Sequence, residues 1–162
     1  MRKILVLLPL LLAAVPVAAH GAPRGEAKLQ LNGKNVAIDY GRPSLNGRDM
    51  LGKAEVGQTW RMGADGATTL TTETDLAFGS AVVPKGSYVL TATRKAADQW
   101  MLNIEDRSPG KDAKKVAEVP LTMGTLPASI EELTIDLSSQ KDGAEFAMKW
   151  GTAELKTGFK AH

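Results

Sequence analysis

The 162-residue chain contains no cysteine. Disulfides, thiolate metal centres, cysteine nucleophiles and a lipid-attachment cysteine are therefore excluded, and stability has to come from a packed core. Histidine is nearly as scarce, with only His20 and the last residue, His162. A Ser-His-Asp arrangement needs an imidazole fixed beside its nucleophile, and zinc sites usually draw on histidine or cysteine. Residues at chain ends rarely supply that rigidity, so histidine-dependent hydrolysis, a bound metal and a cofactor are not expected. Long apolar runs are also missing after the first 19 residues, so the rest of the chain offers no candidate membrane span.

Those first residues form a pattern of their own. Met1-Arg2-Lys3 carries two positive charges and leads into an apolar run from Ile4 to Ala19 that ends in small residues. This is the layout of a secretory signal peptide over residues 1–19, with a predicted cut after Ala19. The run is short and is interrupted by Pro9 and Pro16, which argues against a spanning helix. The expectation is a soluble, periplasmic or secreted protein made of residues 20–162. Without Arg2 and Lys3 the 20 basic residues fall to 18, equal to the 18 acidic ones. A neutral mature chain gives no support to a nucleic-acid partner.

Beyond the leader, apolar residues recur with period two, as in half-buried strands. The first hairpin can be placed in register. Asn32-Gly33 supplies a two-residue turn, so Leu31 pairs with Lys34, Leu29 faces Val36 and Ala27 faces Ile38, with all the apolar residues on one side. Further strands are expected at 68–72, 76–78, 88–93, 100–104, 116–123, 133–137, 146–150 and 153–159. Gly79-Ser80, Pro84-Lys85-Gly86, Asp106 to Gly110 and Asp142-Gly143 supply turns between them. Only Arg48 to Glu55 has room for a short helical turn. Nine or ten strands without strand-helix alternation predict an all-β, single-domain antiparallel β-sandwich, jelly-roll-like or immunoglobulin-like. A long crossing loop, from Gly41 to Gly57, packs over one end of the sheets.

The segment from Tyr40 to Thr68 fits neither a helix nor a plain strand. It contains Tyr40-Gly41-Arg42-Pro43-Ser44, Gly47-Arg48 and Trp60-Arg61-Met62-Gly63-Ala64 with Ala67-Thr68; Pro84-Lys85-Gly86-Ser87-Tyr88 follows later. Together these blocks resemble secreted bacterial proteins grouped as the domain of unknown function 2911 family, over about residues 27–160. The resemblance implies no activity. Relatives typically continue Trp-Arg-x-Gly-Ala with Asn-Glu-Ala-Thr, where this chain has Asp65-Gly66-Ala67-Thr68. A role carried by that glutamate would be absent here or would fall to Asp65.

Three arginines of this segment, Arg42, Arg48 and Arg61, are candidate ligand-binding residues, because guanidinium forks match carboxylate or phosphate. Asp65 and Trp60 complete the candidate set. Trp60 and Met62 share a phase, which leaves Arg61 on the other face. The alternative is architectural, each arginine bonding backbone carbonyls or Asp49 and Asp65. The other large aromatics, Tyr40, Tyr88, Trp100 and Trp150, are in phase with aliphatic neighbours and read as core. The leading expectation is a non-catalytic module for a small polar or anionic ligand or an envelope component. A carboxylate-based hydrolase acting on glycans would have only Asp49 and Asp65 in the signature to use. A purely structural or protein-contact domain is the third reading.

Overall fold

The computed structural model describes residues 21–162. The predicted leader and its cut after Ala19 lie outside the described residues. Ten strands follow in order: β1 Arg24–Leu31, β2 Lys34–Gly41, β3 Thr59–Trp60, β4 Thr68–Thr72, β5 Leu76–Phe78, β6 Ala81–Val83, β7 Gly86–Arg94, β8 Trp100–Asp106, β9 Lys114–Gln140 and β10 Gly143–Ala161. They form one antiparallel sheet, β1-β2-β4-β7-β8-β9-β10-β5-β6, with β3 also paired to β7. The sheet folds over into two layers and does not close into a barrel.

The first hairpin has the register expected from its turn, with Leu31 opposite Lys34, Leu29 opposite Val36 and Ala27 opposite Ile38. Asn32 and Gly33 are both left-handed, at φ 51° and 75°. A type I′ turn requires that of its two central residues, and its twist matches that of the strands it joins. The core lies between the layers. Val36, Ile38, Leu70, Leu90, Leu102 and Ile104 come from one side, and Phe146, Leu137 and the stacked pair Phe78 and Phe159, 5.2 Å apart, from the other. The gap left among them is about 10 Å³, room for one water at most, so the interior is packing and not a ligand cavity.

β9 is longer than the two strands expected from its sequence. Residues Lys114 to Leu121 pair with β8, and Thr122 to Gln140 pair with β10, so a single strand passes from one layer into the other. β10 likewise absorbs both of its expected strands. The β9–β10 register slips on either side of Gly151, which sits at φ 64°. β9 residues freed by the slip are paired by the chain that follows β2. The Leu45 amide donates to the Glu131 carbonyl at 2.9 Å, and the Leu133 amide donates to the Pro43 carbonyl at 3.0 Å. The crossing loop is thus pinned to the second layer. Its 48–55 stretch, which had room for a short helical turn, makes turns and no helix: the Asp49 carboxylate accepts from the Gly52 amide at 2.8 Å and closes a tight turn.

No helix of the described residues is long and apolar enough to cross a membrane.

Candidate functional site

The signature is held together first by backbone contact between two of its own blocks. A Cβ at Gly41 would lie 2.1 Å from the Ala64 carbonyl oxygen, and one at Gly63 would lie 3.0 Å from the Gly41 oxygen. Only residues without a side chain allow that approach. Between β3 and β4 the chain leaves the edge of β7 in a short excursion, residues 61–67. Met62 is left-handed there at φ 59°, with its side chain fully buried. The buried Thr68 hydroxyl donates to the Met62 carbonyl at 2.9 Å and secures the return into β4.

The five candidate residues are distributed around this framework. Arg42 lies across Gly25, where a Cβ would be 2.6 Å from its Cδ. Its Nε donates to the Leu133 carbonyl at 3.3 Å, and its Nη2 pairs with Glu132 at 3.0 Å. Asp65, left-handed at φ 64°, accepts from the Ala22 amide at 2.5 Å and so holds the incoming chain. Arg61 is exposed between half-buried Trp60 and buried Met62, as its phase predicted, and makes no hydrogen bond or ion pair among the described residues. Arg48 and Trp60 are brought together.

These two line one cleft of about 310 Å³ with Asp49, Met50, Leu51, Lys53, Ala54, Gln58 and Trp100. One wall is the crossing loop. The other is indole: Trp60 stacks on Trp150 at 5.7 Å with 13° between the ring planes, and Trp100 is buried alongside. Trp150 is itself fixed by its Nε1, which donates to the Glu131 carbonyl at 3.2 Å. Arg48 reaches back only once, Nε to the Leu45 carbonyl at 3.1 Å, so its remaining donors stand exposed at the rim. Lys53 is exposed on the same loop. Asp49 is the only carboxylate among the lining residues, and it is engaged by the Gly52 amide.

The residue that shapes this cleft was not marked by the sequence. Arg94, at the end of β7, donates from Nη1 to the Gly52 carbonyl at 3.1 Å and the Ala54 carbonyl at 2.6 Å. Its Nε donates to the Ala97 carbonyl at 3.0 Å, and its guanidinium carbon lies 5.9 Å from the Trp100 ring centroid. One guanidinium fork therefore ties the crossing loop to the β7–β8 turn over an indole face. The only sequence signal is a charged residue closing a strand of threonines and apolar residues, which many surface arginines share. Beneath Trp100, its Nε1–H is buried without an acceptor among the described residues.

Among the described residues no group of three or more His, Cys, Asp or Glu could hold a metal ion. Residues 22–159 match the model of a family described as protein of unknown function, DUF2911, and the chain belongs to that family. No curated protein and no solved structure matches it.

Proposed function

Starting from membership of a family whose description names no activity, we propose that this chain is an exported, non-catalytic module that binds a small anionic ligand. Its site is the cleft between the crossing loop and the Trp60–Trp150 stack. The supporting observation is the pairing of an indole wall with two exposed cations, Arg48 and Lys53, around one concave space. Mostly apolar clefts of this size with a few convergent polar groups are the usual form of small-molecule sites. Arg48 supplies a forked donor set for a carboxylate or phosphate, and Lys53 supplies a mobile point charge.

Within this reading Arg42 and Asp65 hold the scaffold, because their polar atoms already bond Leu133, Glu132 and Ala22. Glycoside hydrolysis by a carboxylate pair would need two facing acids about 5 to 10 Å apart. Among the described residues the cleft has Asp49 alone.

A thermal-shift screen of the mature protein against organic acids, phosphates and sugars tests the proposal. Anions should raise the melting temperature with the logarithm of their concentration, and the Arg48→Ala, Lys53→Ala double variant should lose the response while keeping the parent melting point. Sugars that stabilise where anions do nothing, or an anion response untouched by the double variant, would refute it.

A further inference from the structure

We infer that the ligand of this cleft is a planar aromatic or heteroaromatic carboxylate carrying a second hydrogen-bond acceptor. The inference rests on the binding reading above and narrows its chemistry. The stack supplies the first reason. Trp60 is half-buried, stacked on Trp150 in near-parallel contact at 5.7 Å, and lines the cleft. A ring held flat in this way presents a rigid, polarisable wall, and a planar ligand extends the stack at little conformational cost. A flexible aliphatic acid gains less from the same wall.

Trp100 supplies the second reason. It lines the same cleft and is 1% exposed, yet its Nε1–H has no acceptor among the described residues. Buried indole N–H groups usually find a partner, and an unmet donor beside a cleft is what a ligand acceptor would satisfy. The charges agree. Arg48 and Lys53 stand at the rim, and the Arg94 guanidinium lies over the Trp100 ring. The carboxylate therefore goes to the rim, the ring to Trp60, and an oxygen or nitrogen carried on or in the ring to Trp100. That donor is buried, so a ligand reaches it only where the packing around Trp100 gives, and Arg94 lies over the Trp100 ring while holding the crossing loop through the Gly52 and Ala54 carbonyls. Arg94 is accordingly a positioning residue for the site.

The test compares four probes on the mature protein by calorimetry: 4-hydroxybenzoate, benzoate, cyclohexanecarboxylate of the same charge without planarity, and benzamide, planar without charge. 4-Hydroxybenzoate should bind most tightly and cyclohexanecarboxylate at least about tenfold more weakly than benzoate, a loss that Trp60→Ala should erase. Benzamide should not bind measurably. With ¹⁵N-labelled indoles, the Trp100 Nε1–H resonance should shift on adding 4-hydroxybenzoate, and Arg94→Lys should weaken 4-hydroxybenzoate more than benzoate, narrowing the gap between them. Cyclohexanecarboxylate binding as well as benzoate, with both depending on Arg48 and Lys53, would overturn the aromatic assignment and leave the anion site standing. Absence of binding by all three acids would overturn the aromatic carboxylate, and the anion site falls with it only if the phosphates of the thermal-shift screen also give no response. A Trp100 N–H that is protected from exchange and unmoved by 4-hydroxybenzoate would overturn the role given to that donor.

Discussion

Replacing Gly41 by alanine tests the signature at its tightest point. The new Cβ would lie 2.1 Å from the Ala64 oxygen, 2.8 Å from its nitrogen and 2.9 Å from its carbonyl carbon. Non-bonded heavy atoms at optimal separation stand roughly 3.5 Å apart, so the two segments must part by more than about 1 Å. Neither is free to do so. Gly41 is laddered to Arg24 at the end of β2, and the chain around Ala64 is tied by Met62, which is fully buried, and by the Thr68 hydrogen bond. The clash is with backbone and not with the tip of a side chain, which puts the cost at the upper end of the overpacking range, about 3 kcal/mol. For a domain of this size that lowers the melting temperature by roughly 10 °C. Gly124→Ala is the control, since its nearest neighbour would be the Glu154 carboxylate at 3.7 Å and its φ is ordinary. It should stay within about 0.5 kcal/mol of the parent. Urea melts of the two variants decide the matter. A Gly41→Ala protein as stable as Gly124→Ala would mean that the close approach of the two blocks is not what the glycine is for.

Other outcomes follow from the same packing. Trp100→Ala and Trp150→Ala, which empty sites 1% and 4% exposed, should each cost about 3 to 5 kcal/mol in denaturant melts. Arg61→Ala should change stability by less than about 0.5 kcal/mol and leave anion binding at the cleft intact, because among the described residues the side chain has no partner to strand. Asp106 is held below the ordinary carboxylate value of 3.8, first by the Ser108 hydroxyl, then by the Ser108 amide and the charges of Lys111 and Lys114. A depressed value adds stability that is present above the unfolded pKa and lost as the pH falls through the folded one. Melts of Ser108→Ala should therefore lose less stability than the parent below about pH 4; an equal loss would count against it. Mass spectrometry of exported protein should find His20 as the first residue, and an uncut Met1 would contradict the leader assignment.

Strand existence and phase were legible because they depend on local alternation. Thr68–Thr72 and Leu76–Phe78 have the bounds that the pattern indicated, and the Asn32-Gly33 turn was enough to fix a register. The continuity of β9 was not legible. Gly124 and Pro127 lie between the two expected strands, 116–123 and 133–137, and glycine weakens a strand while proline removes a ladder donor. The structure accommodates them: Gly124 pairs with Glu154, Pro127 falls in the register slip between Thr125 and Ile130, and the neighbouring residues Glu131 and Leu133 are bonded by Leu45 and Pro43, some 90 residues upstream. The three-residue β6 and two-residue β3 are too short to show a period. In the site, the outward phase of Arg61 was readable. The role of Arg94 was not, because it depends on which carbonyls the crossing loop brings within its reach.

The strand that runs through both layers also dictates the order of assembly. β2 needs Ile135, whose carbonyl receives the Tyr40 hydroxyl at 3.3 Å, and the segment after β2 needs Glu131 and Leu133. As synthesis proceeds from the amino terminus, the first hairpin therefore waits for nearly a hundred further residues before its inner face is covered. Pairings this distant in sequence slow folding, so the contacts that the first hairpin makes with β9 cannot form until the residues around Ile135 have been made.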